Sequence, residues 1–469
     1  MTRRAWVRLD NASNIFLAAL SDADPKVFRL SAEMDRDVDP GQLQEALDAT
    51  YERYRLYHAV LRRGIFWYYL QDSDLRPLVV ADTQHTCAPL YQADRRTLLF
   101  RVAYHRRRIV LEVFHALSDG TGALWFLTDL LTEYVQRYPE RQPSPAEPTI
   151  DDTTPHAHEL AADSFVHYFH RRRRRRQDGD PSAENRSAFS GAAAPAALGV
   201  ADAIDSSVSA QDLSREPRPP RRKIYRITGT RTPDNRPRLI ELTMPAKDVL
   251  ALARAEGVAL TSYLIAMFFE SIRLSSSGLG RNRTLTASVP VNLRQFFPST
   301  SARNFFATFR AEHTYGEGAD DFGAICRTIN DQFAVKVTPD ALEGKLRRFI
   351  RFERMPVLRI LPQPLKDLAL GAINRANNRG LSVAVSNLGL VRLPDPADAH
   401  VGRLLFHVSA VRPQFGAISH DGVLTISFTS PFVETGHVRE FARMLTTRGV
   451  DVTVAAARVT EEELAGADS

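Results

Sequence analysis

Cysteine is nearly absent: the 469-residue chain has two, Cys87 and Cys326, far apart in sequence. That excludes a disulfide framework and a CxxC metal clip, and it fits a reducing compartment. No P-loop, HExxH helix or GxGxxG turn occurs, so the signatures of phosphate cradles, zinc proteases and dinucleotide folds are missing. A GxSxG nucleophile elbow is missing too, which removes that route to a serine acyl-enzyme. The longest mostly apolar run, 258–269, falls far short of a membrane span. In the first twenty residues, Asp10 and Asn11 interrupt an apolar stretch already too short for a signal peptide. A cytoplasmic protein is the expectation.

The basic excess is small and comes from two places. Lys plus Arg is 61 against 55 for Asp plus Glu, a formal +6. Residues 171–176 are an unbroken arginine run, and Arg221, Arg222 and Lys223 form a smaller cluster. Without these nine residues the remainder is slightly acidic, so nucleic acid is not an expected partner.

The chain itself is globular. Hydrophobic residues make up 44% and charged residues 25%, and 469 residues suit two domains of about 200 each. Residues 40–63 carry Leu43, Leu47, Tyr51 and Tyr54 at helical spacing, and 65–70 look strand-like. Alternation and the polar turn 105–108 predict a hairpin from 97–104 and 109–114. Leu124, Leu127, Leu130, Leu131, Tyr134 and Val135 mark an amphipathic helix, with Ser118 or Asp119 placed to cap it. Composition then turns to Pro, Ala, Ser, Asp and Arg over 139–223, with one short helical piece near 158–169; this reads as a mobile connector. The second half, 224–469, predicts strands at 238–244, 284–291, 381–387, 404–411, 416–419, 424–429 and 450–455. Helices are predicted at 247–255, 260–272, 321–337, 342–354, 365–377 and 437–446. This irregular alternation predicts an α/β fold with mixed sheets backed by helices, not a parallel barrel.

The sharpest chemical signal is His115-Ala-Leu-Ser-Asp119-Gly120, directly after the strand 109–114. A strand end presents side chains to a cleft, and the unperturbed imidazole pKa suits base catalysis near neutrality. Asp119 stands where the chain turns into a helix, and Gly120 permits backbone conformations that other residues resist. From spacing alone, a strand-end histidine with an ordinary Asp cap explains the same residues.

HALSDG resembles the HxxxDG signature of a superfamily that includes chloramphenicol acetyltransferase, non-ribosomal peptide condensation domains, wax ester synthases and alcohol acetyltransferases. Three further stretches are similar to its bacterial alcohol-acetyltransferase-like branch, in the same order. They are RRGIFWYYL at 62–70, VPVNLR at 289–294 followed by FPS at 297–299 and NF at 304–305, and SNLG at 386–389. The resemblance covers the chain apart from the insert around 171–221. One departure separates it from condensation domains: Phe114 stands where many members have a first histidine.

The resemblance implies two chloramphenicol-acetyltransferase-like halves in a V, with a channel between them where donor and acceptor meet. It implies His115 as general base, direct acyl transfer without an acyl-enzyme, and acyl-CoA as co-substrate with no bound cofactor. Asp119 is implied to be structural and paired with an arginine, for which Arg294 is the candidate; a solvated strand-end charge is the other reading. Ser386, Asn387, Gly389 and Asn292 are candidates for the substrate channel or for oxyanion donors, with turn chemistry explaining Asn387, Asn292 and Asn304 as well. The expected partners are acyl-CoA or an acyl carrier protein and a small alcohol or amine, for a monomer.

Other features carry less. Ala162-Asp-Ser-Phe165 is like a carrier-protein serine site, but no four-helix domain surrounds it. His156, His158, His167 and His170 crowd one stretch without completing a metal site, and none is expected. The arginine run reads first as solvated linker; attraction to coenzyme A phosphates, an acidic carrier or an anionic membrane surface rests on charge alone. Three hypotheses follow: an O-acyltransferase using acyl-CoA, a free-standing condensation-type enzyme using a carrier-bound donor, or a catalytically idle binding member of the fold.

Overall fold

A computed structural model describes residues 6–9, 13, 16–17, 19–64, 67–93, 95–138, 164–165, 168, 223–232, 236–276, 279, 283–353 and 363–457. The arginine run and most of the expected connector lie outside the described residues. From the connector, Phe165 packs edge-on against Phe305 at 5.0 Å between ring centroids.

In chain order the first elements are β1 (Trp6–Arg8), β2 (Val27–Met34), α1 (Pro40–Arg53), β3 (Ala59–Arg63), β4 (Tyr68–Asp72), β5 (Val80–Ala81), β6 (Phe100–His105), β7 (Arg108–Phe114) and α2 (Gly120–Gln136). They are followed by β8 (Lys223–Ile224), β9 (Arg238–Pro245), α3 (Ala246–Ala255), α4 (Leu260–Ser275), β10 (Arg283–Asn292) and β11 (Phe306–Tyr315). The chain continues with α5 (Phe322–Lys336), α6 (Pro339–Glu353), α7 (Gln363–Asn378), β12 (Val383–Leu390), β13 (Val401–Val408), β14 (Gln414–His420), β15 (Val423–Ser430), α8 (Gly436–Thr447) and β16 (Thr453–Ala456).

Among the described residues there are three sheets. The five-stranded sheet runs β13-β2-β7-β6-β5 and the eight-stranded sheet runs β11-β10-β12-β14-β15-β9-β16, with β8 paired to β10. A small sheet, β1-β4-β3, stands apart. Both large sheets mix parallel and antiparallel pairs: β10–β12 and β12–β14 are parallel, whereas β2–β7 and β14–β15 are antiparallel. The fold is therefore α/β with mixed sheets.

β2 and β7 are central in their sheet; β7 reads as a near-continuous apolar run, whereas in β2 Phe28, Leu30, Ala32 and Met34 alternate with Arg29, Ser31 and Glu33. No strand is predicted there from the sequence, although that alternation is present. The helical spacing over 40–63 ends early: α1 stops at Arg53, a 3-10 turn spans Arg55–His58, and 59–63 become β3. Pairing of Val60 and Leu61 with Gln71 and Leu70 on β4 overrides the local helical pattern. β11 also escapes the sequence reading, although it pairs with β10 along its whole length.

One strand crosses between the halves. β13, which the sequence places in the second half, is the edge strand of the first sheet, with Phe406 opposite Leu30 on β2. It also packs on the second sheet, so closely that a Cβ on Gly416 would lie 2.4 Å from the Phe406 carbonyl oxygen. Arg403 on β13 donates from Nη1 to Thr243 Oγ1 on β9 at 2.8 Å. Arg108 on β7 donates from Nη1 and Nη2 to Glu241 of β9 at 3.2 and 3.0 Å. These contacts join the two large sheets at the strand ends opposite His115, since Arg108 begins β7 and Arg403 pairs with Glu33 near the end of β2.

Candidate active site

β7 ends at Phe114, and His115 follows with its backbone N–H donated to the Lys26 carbonyl at 2.8 Å. The partner is held unusually: Lys26 has φ +54°, in the left-handed region that side chains disfavour, and its own N–H bonds Asp24 Oδ1 at 3.3 Å. On its other side, His115 accepts at its carbonyl from Asn304 Nδ2 at 2.8 Å. Asn304 Nδ2 also donates to Ser13 Oγ at 3.0 Å, and Ser13 donates to the Ala116 carbonyl at 2.9 Å. Turn chemistry was one sequence explanation of Asn304; the structure uses its amide to clamp the backbone of His115.

The His115 ring is 3% exposed and set among aromatic rings. Phe16 stacks on it at 4.1 Å between centroids, Phe28 meets it edge-on at 4.9 Å, and Phe306 from β11 lies at 6.0 Å. Neither ring nitrogen has a hydrogen-bond partner among the described residues. Burial disfavours the imidazolium and pushes the pKa down to about 4, although the Asp119 charge pulls the other way. The imidazole is therefore neutral at cellular pH, with a lone pair available to take a proton.

His115 lines a cavity of about 100 Å³. Phe16, Lys26 and His115 come from the first half of the chain, and Ser288, Pro290 and Ala384 from the second sheet. Ser288 and Ala384 are register partners across the parallel pair β10–β12, so the strand pairing sets this wall. The remaining lining includes Asn374, Asn377 and Asn378 near the end of α7, and Arg412 and Gln414 before and at the start of β14.

Asp119 faces another set of groups. It is the N-cap of α2: Oδ1 accepts from the Gly122 N–H at 2.9 Å. Its Oδ2 accepts from Arg294 Nη1 at 2.7 Å and from the Phe305 N–H at 2.8 Å. Arg294 uses its other N–H groups on the Ser301 and Arg303 carbonyls, each 2.7 Å from Nη2, and stands over the Trp125 ring at 5.3 Å. Both charges are buried, and each is satisfied by hydrogen bonds besides the pair itself. Of the two sequence candidates for the cap, Ser118 instead donates to the Ala302 carbonyl at 2.5 Å.

Gly120 does not have the positive φ that its sequence reading invoked. Its constraint is space, since a Cβ there would meet Leu388 Cδ2 at 3.0 Å. Gly122, which the sequence reading passed over, is tighter: a Cβ would lie 2.2 Å from the Ala302 carbonyl oxygen. Asn292 accepts from the Arg294 N–H at 3.0 Å and donates to Thr121 Oγ1 at 3.2 Å, so it braces the Arg294 turn against α2. Asn387 donates to Thr261 Oγ1 at 3.0 Å and accepts from the Gly389 N–H at 2.8 Å. Gly389, at φ +74°, lies in the irregular stretch of β12 between Asn387 and Leu390. Asn292, Ser386, Asn387 and Gly389 are not among the residues lining the His115 cavity. Ser386 is buried on β12 between Ala384, which lines the cavity, and Leu388, which packs on Gly120. Among the described residues, no cluster of His, Cys, Asp and Glu is placed to hold a metal ion.

No protein-family model matches the sequence, and no curated protein matches it. Solved structures do match. Polyketide synthase associated protein 5 from Mycobacterium tuberculosis superposes with a TM-score of 0.56 at 15% identity, over 95% of this chain and 98% of that one. TRI101 of F. sporotrichioides, solved with coenzyme A and T-2, gives a TM-score of 0.57 at 11% identity, over 96% and 99%. The first condensation domain of the CDA synthetase gives 0.53 at 14% identity, over 95% and 94%. The chain shares the fold of these three structures. Within this fold, the cavity at His115 draws its walls from residues spread over nearly four hundred positions. The signals that sequence reasoning missed, Phe16, Phe28 and Arg412, have no pattern of their own. Only the strand order brings them to the imidazole.

Proposed function

We propose that this protein transfers an acyl group from a coenzyme A thioester to the hydroxyl of a small acceptor, with His115 as general base. The observation that carries the reading is the neutral imidazole, its nitrogens unpartnered, lining a cavity walled by both large sheets. The likeness to a structure complexed with coenzyme A supports the choice of donor.

In this reading a His115 ring nitrogen accepts the acceptor O–H proton as the oxygen attacks the thioester carbonyl. The new C–O bond forms, the C–S bond breaks, and the imidazolium returns the proton to the departing thiolate. No acyl-enzyme forms. The backbone clamp from Lys26 and Asn304 fixes the histidine, so little rotational freedom is lost at the transition state. Low basicity is a consequence of burial, and it also keeps the group unprotonated and ready.

The likeness to a condensation domain supports a second reading, in which the donor thioester is borne on a carrier protein. Thioester consumption by purified protein tests both. The first reading expects turnover with free acyl-CoA and an alcohol panel, reduced at least about 100-fold in His115→Ala. Turnover only when a carrier-bound acyl group is supplied would favour the second. Full activity in His115→Ala would remove the general-base role.

A further inference from the structure

The cavity at His115 has a cationic lining that acyl transfer as such does not require. Arg412 lines it beside the Asp24 carboxylate, which attracts it, and within reach of Arg310 on β11, the register partner of the lining residue Ser288, which repels it. Lys26 also lines it, but its Nζ is ion-paired with Asp24, which additionally accepts from Ser409 Oγ at 2.8 Å. That carboxylate is thus engaged. Among the described residues neither Arg310 nor Arg412 forms an ion pair, and Arg412 hydrogen-bonds only the side-chain oxygen of Asn378. Besides Asp24, the polar lining includes the neutral amides Asn374, Asn377 and Gln414.

A half-buried guanidinium whose neighbouring carboxylate, Asp24, is already ion-paired with Lys26 is costly unless something more offsets it. The C-terminal end of α7, at Asn378, is close by and supplies roughly half a negative charge. Two guanidinium groups exceed that. A ligand anion would balance the remainder.

Building on the acyl-transfer reading, we infer that Arg412, backed by Arg310, is a carboxylate subsite in the His115 cavity, so that one of the two reactants bears a carboxylate. The planar guanidinium fork matches a two-oxygen anion. The phosphates of coenzyme A do not fit this role. The pantetheine arm separates them from the thioester carbonyl, which must itself sit at His115 in a cavity of about 100 Å³. The carboxylate belongs either to the acceptor, a hydroxy acid, or to the acyl group, a dicarboxylic monothioester.

Two matched pairs of compounds test this and separate the sources. For the acceptor, 3-hydroxybutyrate is compared with 3-hydroxybutyramide using acetyl-CoA. For the acyl group, succinyl-CoA is compared with butyryl-CoA using a neutral alcohol. The inference expects wild-type kcat/KM to favour the acid by about ten-fold or more in one pair. In Arg412→Gln that preference falls towards one, and Arg412→Lys retains part of it. Equal rates within both pairs would overturn the subsite while leaving acyl transfer intact. Calorimetry with succinate alone, on wild type and Arg412→Gln, decides the case if no thioester is consumed. Binding lost in the variant upholds the subsite although acyl transfer fails, and no wild-type binding overturns it. The wild-type comparisons stand even if Arg412→Gln does not fold.

Discussion

Arg294 Nη1 lies 2.7 Å from Asp119 Oδ2, joining residues 175 positions apart in the chain. The same carboxylate caps α2 and receives the Phe305 N–H, so it ties the loop after His115 to the turn before β11. Removing one partner leaves the other as an uncompensated buried charge. Asp119→Ala is expected to destabilise the protein by about 3–5 kcal/mol, read as a lower midpoint in denaturant or thermal unfolding. Arg294→Lys keeps the charge but loses the fork to Ser301 and Arg303, so it also lowers stability. Wild-type stability in Asp119→Ala would mean that the pair holds nothing.

The burial of His115 sets an acid limit for activity. Its folded pKa of about 4 lies below the ordinary histidine value of 6.5. The base therefore stays neutral as pH falls through 6.5, and the acid limb of kcat/KM is expected nearer pH 4. Phe16→Ala uncovers one face of the ring and should move that limb upward, towards 6.5. A wild-type limb at 6.5 would contradict the buried geometry. The same shift feeds stability: because the folded pKa is depressed, the contribution is complete above 6.5 and declines as pH falls towards 4.

Two glycines at the start of α2 separate two kinds of crowding. An alanine at position 122 would press its Cβ against the Ala302 carbonyl oxygen, which is backbone and cannot step aside. Gly122→Ala should cost at least about 2–3 kcal/mol and impair turnover by shifting the Asp119 loop. At position 120 the nearest atom is the end of the Leu388 side chain, so Gly120→Ala should be milder. Chemical denaturation of the two variants checks the order.

Glu241 links the sheets and should make that link acid-labile. Burial pushes its pKa up, but the His407 contact, 3.1 Å from Nε2 to Oε1, and Arg108 outweigh burial and bring it down to about 2. A depressed carboxylate stabilises the fold above the unfolded value near 4.5, and that stability is lost as pH falls from there towards 2. Glu241→Gln is expected to flatten this part of the stability–pH curve. An unchanged curve would show that the contact between sheets does not depend on the charge.

Much of the fold was legible from local pattern. α2 announces itself through Leu124, Leu127, Leu130 and Leu131, and its Asp cap through position, because 3.6-residue periodicity and capping are properties of neighbouring residues. The hairpin β6–β7 is legible for the same reason. β2 and β11 were not assigned, although Phe28, Leu30, Ala32 and Met34 alternate with polar residues in one and Phe309, Ala311 and Tyr315 do so in the other; most of the polar positions between them are at least partly buried by packing that no local pattern shows. The helical spacing through Tyr54 misled because pairing with β4, a tertiary contact, outweighed it.

The site divides along the same line. Taken alone, the chain determined that a histidine would end a buried strand, that an aspartate would start the next helix, and that an arginine would follow β10. Their spacing is short-range information. Which rings enclose that histidine, which amide holds its backbone, and that Arg412 shares its cavity were decided by the tertiary structure. The reason is physical. A β-sheet joins residues by strand order and register, and neither is written in the distance between two residues along the chain.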